Sequence, residues 1–394
     1  AGGETGAGFS VGRVPIGSTD FSLGPWTYDD GEVDMGLERF SIAHDEKLKI
    51  PLLQRARKRA ADTRQRSRQR FQDAGAAGAA GTTEAAGTTE AAGTTEAAGT
   101  TEAAGTTEAL QLFASCWAPP AWMTATNSTV KNPSLLGGPT GAMAHAYAAY
   151  LVKFFEAYAD PSTHGIAFWA VTAGNEPAGN TGKWQDLKFT AAEQRDFIKA
   201  ALGPALRAAN ATAHLDLLML DDQRIHLGAW TDAVLGDPDA AQYVAGVALH
   251  WYAATEDLTP SALYFGEMDT AHAKYGHAAY MFATEACEGF LPWSKGPYPG
   301  DWGRAETYAH DILGDLNHWA EGWTDWNAWL DATGGPNWAD NEVDAPIIVD
   351  AADHFYKQPM YYAMAHFSKY VTPGSRRIKV TSTATGVGRS PMEC

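Results

Sequence analysis

Short apolar runs recur through this 394-residue chain, and helix-length segments separate them. The runs are Phe9 to Pro15, Leu110 to Trp117, Ile166 to Thr172, Leu215 to Leu220, Val244 to Trp251, Ala279 to Glu285 and an opening at Gly322 to Trp326. Each is short, β-branched or aromatic, and bounded by turn or helix signals, so each reads as a buried strand. Between them, helices are expected over Asp45 to Arg59, Gly141 to Tyr158, Thr190 to Ala209, Ser261 to Tyr275 and Trp302 to Ala320. Thr190, with Glu193 three residues on, makes a capping box for the third of these. Buried strands alternating with helices define an α/β chain with a parallel sheet. Seven such strands point to a (β/α)₈ TIM barrel, in which function gathers at the C-terminal strand ends.

Two of those ends carry a glutamate. Phe168-Trp-Ala-Val-Thr-Ala-Gly leads to Asn175-Glu176-Pro177, and Tyr280-Met-Phe-Ala-Thr leads to Glu285. A carboxylate at the tip of a buried strand has no packing reason to be there, because an unpaired buried charge is costly. Either glutamate alone also fits a helix-cap neighbour or a salt-bridge partner. Together they are the minimum equipment for breaking a glycosidic bond. Other distinctive residues fall at the same ends: Arg13, Trp117, Asp222, His250, Tyr252 and Trp326. Trp117 and Trp326 have two readings, as rings against which a sugar stacks or as ordinary core.

Composition narrows the classes. A net charge of −18 argues against nucleic acid, whose binding rests on neutralising phosphates. An acidic surface sheds charge as carboxylates protonate, which suits an acidic compartment. No stretch is long and apolar enough to span a bilayer. Three cysteines, Cys116, Cys287 and Cys394, are too few for a disulfide scaffold. Cys116 and Cys287 fall at strand tips, where free thiols near the site are expected. No metal-ligand spacing is visible, and no cofactor is expected. Asn127-Ser-Thr and Asn210-Ala-Thr are glycosylation sequons, and the chain opens on Ala1 without a visible signal peptide.

One stretch breaks the pattern. Residues 55–70 are strongly basic, and 75–108 carry a Gly-Ala tract and then a Gly-Thr-Thr-Glu-Ala-Ala repeat from Gly81. A repeat without large apolar residues cannot bury a core, so 55–109 is expected to be a basic, low-complexity, disordered insertion between a helix and the next strand. The basic run alone also fits a solvated helix extension or a surface for anions. The barrel is then assigned to 1–54 and 110–372.

Several longer motifs resemble glycoside hydrolase family 30. They are Arg13-Val-Pro…Asp20-Phe-Ser, Phe168-Trp-Ala-Val-Thr-Ala, Gln194-Arg-Asp-Phe-Ile, Leu218-Met-Leu-Asp-Asp-Gln-Arg, Gly322-Trp-Thr-Asp-Trp-Asn, Gly335-Pro-Asn-Trp and Phe355-Tyr-Lys-Gln-Pro-Met. The resemblance implies a retaining β-glucosidase that hydrolyses glucosylceramide-like glucolipids to glucose and ceramide. It makes Glu176 the general acid/base and Glu285 the nucleophile. It assigns Asn175 to the sugar 2-hydroxyl, Trp117 and Trp326 to the glucose pocket and Asn341 to its rim. His250 and Tyr252 would flank the nucleophile. Arg13 would orient it and keep its carboxylate charged. A saposin-type activator and an anionic membrane surface are the implied partners, and a lysosomal or secreted location is implied.

The chain also departs from that pattern. The family's first barrel strand, with its Thr-Asp-Ala aspartate, has no counterpart, so the expected fold is a barrel lacking its first strand. Residues 373–394 are read as a remnant of a C-terminal β-sandwich, with one strand over Arg377 to Gly386, and an unmatched tail. The loop Asn180 to Trp184 is short, and Glu342 stands where the family has an aromatic residue. A β-xylosidase, a β-1,6-glucanase or a truncated, inactive carbohydrate-binding fragment are the competing expectations.

Overall fold

The computed structural model describes residues 6–80, 110–252 and 264–378. Seven strands form one parallel ladder in chain order: β1 (Val11–Ile16), β2 (Gln111–Cys116), β3 (Ala170–Thr172), β4 (Asp216–Gln223), β5 (Val244–His250), β6 (Tyr280–Glu285) and β7 (Ala320–Trp323). Neighbours pair in parallel register, from Val11 opposite Gln111 to Met281 opposite Ala320. Among the described residues no bridge joins β7 back to β1.

The helices cover the outside of the ladder. They are α1 (Lys49–Ala80), α2 (Ala142–Ala159), α3 (Ala191–Phe197), α4 (Gly203–Ala208), α5 (Leu227–Val234), α6 (Phe265–Tyr275) and α7 (Trp302–Asn317). Between helices and strands lies the main core, rich in the aromatic face of α2: Tyr147, Tyr150, Phe154, Phe155 and Tyr158. A second cluster fills the ladder's concave side with one residue from each of five strands: Phe113, Ala170, Leu218, Ala248 and Phe282. It floors the barrel below the strand tips. The large rings fit because Gly246 and Gly322 leave room. A Cβ on Gly322 would stand 2.3 Å from the Phe282 ring.

Several expectations need correction. The helix after β1 continues to Ala80, so the basic residues 55–70 and the Gly-Ala tract to Ala80 are helical rather than part of a disordered insertion. Arg, Lys, Gln and Ala are strong helix formers, and Ile50 and Leu53 anchor the helix start on the core. The repeat from Gly81 lies outside the described residues. The single helix expected over Thr190 to Ala209 is instead two helices joined by a π turn, Ile198–Leu202. Pro204, at the start of α4, lacks the N–H that a regular helix would use. The Thr190–Glu193 capping box is present.

Beyond β7 the chain forms a three-stranded sheet that the sequence reading did not anticipate: β8 (Leu330–Asp331), β9 (Ile347–Ala351) and β10 (His354–Lys357). It leads into α8 (Pro359–Tyr370). The residues up to Ile378 form no strand, and the rest of the strand expected over Arg377 to Gly386 lies outside the described residues, as does Cys394.

Candidate active site

The C-terminal ends of the strands converge on Arg13, near the middle of β1. Its guanidinium is buried, and its Nε donates to Ser115 Oγ at 3.0 Å. One Nη donates to Asn175 Oδ1 at 2.9 Å and to Asp221 Oδ2 at 2.7 Å, and the other is ion-paired with Glu285. Five elements thus meet through one side chain. The fork geometry of arginine makes this feasible where a lysine would supply a single point. Burial works against its charge, but Asp221 and Glu285 raise the guanidinium pKa further still.

Glu285 closes β6. Besides Arg13, its other oxygen accepts from Tyr252 Oη at 3.0 Å. Burial pushes its carboxyl above the ordinary value, and His250 and Arg13 pull it back without cancelling the burial. Arg13 thus acts in the expected direction, favouring the charged form of this carboxylate, and desolvation opposes it with the larger effect.

Glu176 follows β3 in a left-handed conformation, φ 46°. Its N–H donates to the Asp221 carbonyl at 2.9 Å, and its carboxylate accepts from Gln223 Nε2 at 3.2 Å. His250, at the end of β5, is fully buried, with Nδ1 3.4 Å from Glu176 and Nε2 3.1 Å from Asp221. Desolvation opposes its charge, but Glu285, Asp221 and Glu176 outweigh it and push the imidazole up to about 10. Both ring nitrogens therefore carry protons and face carboxylates. Glu176, His250 and Glu285 bring one atom each within 4.8 Å of one another.

The remaining expected residues fall around this centre. Asn175 is buried, with its N–H on the Cys116 carbonyl. Trp117 is also buried and stacks on Trp326, ring centroids 4.9 Å apart. Arg13 sits 4.8 Å from the Trp117 centroid. Tyr252 Oη also touches Cys287 Sγ at 3.3 Å. Asn341 Nδ2 donates to Asp20 Oδ2 at 2.7 Å. Both Cys116 and Cys287 are buried free thiols.

Asp20, Asp221 and Gln223 were missed as individual site residues, although each stood inside a quoted motif. Burial pushes Asp20 up to about 8; Asn341 opposes this, and the charges of Glu285 and Glu176 add to it. Desolvation also acts on Asp221. There Arg13 and His250 prevail and hold it well below the carboxylate range. Asp222 behaves oppositely, pushed up to about 7 by burial and by Glu176. Lys295 is ion-paired with Glu342.

Two glutamates within 4.8 Å, at the C-terminal ends of β3 and β6 of one parallel α/β ladder, define a glycoside-hydrolase type of site, at the short separation used for covalent catalysis. The Glycosyl hydrolase family 30 TIM-barrel domain matches residues 2–71 and 100–371, and the chain belongs to that family. The match includes the basic stretch to Phe71 and leaves 72–99 between its two segments. The chain is 40% identical to putative glucosylceramidase 3 of Caenorhabditis elegans over 387 residues, 95% of this chain and 62% of that protein. It is 39% identical to mouse lysosomal acid glucosylceramidase over 381 residues, 95% of this chain and 63% of that one. It therefore spans less than two thirds of the length of these curated relatives. A solved endo-β1,6-glucanase superposes with a TM-score of 0.69 at 25% identity, covering 94% of this chain and 69% of that one.

Proposed function

We propose that this chain carries the catalytic machinery of a retaining β-glucosidase acting on glucosylceramide-like glucolipids. The observation that carries the proposal is the pair Glu176 and Glu285, with one oxygen of each within 4.8 Å. Inverting enzymes hold their carboxyls about 6.5–9.5 Å apart to admit a water, and retaining ones about 5–5.5 Å.

Glu285 attacks the anomeric carbon while Glu176 gives its proton to the glycosidic oxygen, and the aglycone leaves as an alcohol. Glu176, now a carboxylate, takes a proton from water, whose oxygen attacks the same carbon and releases Glu285. Arg13 and Tyr252 hold the nucleophile in line. The His250 imidazolium lies beside Glu176 and favours the negative charge that forms there after the first proton transfer. Asn175 is held by Arg13 at the position the sugar 2-hydroxyl would reach, and Asp20 with Asn341 would grip hydroxyls further from the reacting carbon. Trp117 and Trp326 form the aromatic wall.

The lipid aglycone is supported by likeness to the glucosylceramidases. On the loop after β6 and at the start of α7, Trp293, Tyr298 and Trp302 are each about two-thirds exposed, an apolar surface on which a membrane or a saposin-type activator could seat. An acidic, lysosomal or secreted setting is supported by buried carboxyls that prefer to be protonated: Asp20 near 8, and Asp186 and Asp222 near 7.

A second reading, cleavage of β-1,6-glucan, is favoured by the glucanase likeness. Purified protein offered glucosylceramide in mixed micelles, β-1,6-glucan and a panel of aryl β-glycosides separates the two. Glucose from glucosylceramide, with the β-anomer seen first by NMR, supports the proposal. Release from the glucan alone moves the function to the second reading, and a first-formed α-anomer overturns the retaining mechanism.

A further inference from the structure

The end of β4 is strained where the site depends on it. Leu220 and Asp221 both lie in the left-handed region, φ 68° and 63°. The register with β5 slips there: Leu220 faces Ala248 and Asp222 faces Leu249, so Asp221 is the extra residue of a bulge. Two successive non-glycine residues in this region are strained, and they persist only if their surroundings hold them.

The bulge does three things. It sends the Asp221 carboxylate to Arg13, Thr172, Thr284 and His250. It presents the Asp221 carbonyl to the Glu176 N–H. It turns Asp222 so that its carboxylate accepts the Ala178 N–H at 2.8 Å, two residues beyond Glu176. The first contact reaches the nucleophile's side of the site, and the other two fix the acid/base turn.

What holds the bulge is Gln194. Its Oε1 accepts the Leu220 N–H at 2.9 Å and its Nε2 donates to the Leu220 carbonyl at 3.3 Å. The side chain is fully buried, on the α3 turn that the Thr190–Glu193 box pins. A side-chain amide that meets both backbone groups of one residue acts as a strand neighbour for that residue alone. Without it, two buried backbone groups would stand unpaired.

We propose that Gln194 is a positioning residue for both catalytic glutamates, acting through its amide clasp on the Leu220–Asp221 bulge. The proposal rests on reading Glu176 and Glu285 as the catalytic pair. Gln194 touches neither, so its effect is on geometry and on the network around His250. That imidazole is faced by Asp221 from β4, Glu176 after β3, Glu285 from β6 and the Tyr252 ring, with Arg13 of β1 behind the carboxylates.

The test uses Gln194→Leu and Gln194→Glu in the full chain, with an aryl β-glucoside and with NMR of labelled histidine. Gln194→Leu should lower kcat about 100-fold, the scale of a misplacement near 1 Å, with KM changed less than about threefold. It should also lower the His250 titration, since Asp221 drifts from the ring. In Gln194→Glu the introduced carboxyl group, while protonated, donates to the Leu220 carbonyl and accepts its N–H, so near-normal kcat is expected at acidic pH. Once ionised it loses the donor, so kcat should fall with rising pH along a titration that the parent lacks. If Gln194→Leu does not fold, the second variant decides alone: a kcat ratio to the parent that is independent of pH overturns the proposal. Unchanged kcat and unchanged His250 titration in both variants also overturn it. If the parent cleaves no β-glycoside, the catalytic reading fails, while the histidine titration still reports on the clasp.

Discussion

Asp20→Asn should flatten the pH dependence of stability in one direction and by a known slope. Asp20 is buried, and its folded-state carboxyl sits near 8 against an ordinary 3.8. Above about pH 5 the unfolded chain carries this group ionised, while the native state keeps it protonated. The native state then binds one more proton, so stability falls as pH rises, by about 1.4 kcal/mol per pH unit. Between about pH 5 and about pH 7 this one carboxyl removes about 2.7 kcal/mol. The amide in Asp20→Asn can still accept from Asn341 through its oxygen but does not titrate. Urea unfolding of parent and variant at both pH values gives four free energies, and their double difference should approach that figure, with the variant flatter. Asp186, Asp222, Asp315 and His250 shift in the same acid-favouring direction, but they are common to both proteins and cancel. Parallel pH profiles, or a steeper one in the variant, would refute the assignment of a neutral Asp20 in the native protein.

The other expectations concern the two glutamates and one buried ion cluster. A cyclophellitol-type epoxide should label Glu285, and peptide mass spectrometry placing the adduct on another residue would remove Glu285 from its role. Because burial raises the Glu285 carboxyl, protonation should silence the nucleophile, so kcat/KM should fall on the acid side at a pH above 4.5. Glu176→Gln should slow substrates with poor leaving groups far more than activated aryl glycosides, and azide should restore the activated ones; equal, unrescued losses would mean a structural role. Arg224→Met should cost about 3–5 kcal/mol in denaturant unfolding, since Arg224 bridges buried Asp311 and Asp315 at 2.9 and 2.7 Å. A loss under about 1 kcal/mol would show that the two aspartates share a proton and do not depend on the guanidinium.

The seven-strand ladder was legible because a buried parallel strand is apolar on both faces, which leaves a continuous run in the sequence. The boundaries that moved did so for physical reasons. The run at Ile166 to Thr172 is longer than β3 because Phe168 is apolar for another purpose: it packs on Phe154, Phe155 and Tyr158 of α2. The expected strand ends at Leu220 because Asp221 and Asp222 look like a strand stop by charge, yet β4 runs on to Gln223. Their charges are compensated by Arg13, His250 and backbone N–H groups that only the folded chain supplies. The helix from Lys49 runs beyond Arg59 because its Arg, Lys, Gln and Ala content favours helix even where few apolar residues anchor it, as the helix-extension reading of the basic run allows.

The site shows the same division between what a side chain announces and what its contacts decide. A glutamate at a strand tip is conspicuous because its charge conflicts with its surroundings, so Glu176 and Glu285 stand out before any fold is known. Ser115, Thr172, Thr284 and Gln194 are uncharged and unremarkable in a buried strand or helix. Their roles exist only as hydrogen bonds to Arg13, Asp221 and Leu220. The consecutive aspartates are the clearest instance. A regular strand sends neighbouring side chains to opposite faces, so Asp221 and Asp222 could not both serve one site. The bulge inserts Asp221 as an unpaired residue and breaks that alternation. One aspartate then reaches Arg13 and the other reaches the turn carrying Glu176. A period-two reading of Leu218-Met-Leu-Asp-Asp has no way to contain this, because the signal lies in two left-handed φ angles and a glutamine twenty-six residues away.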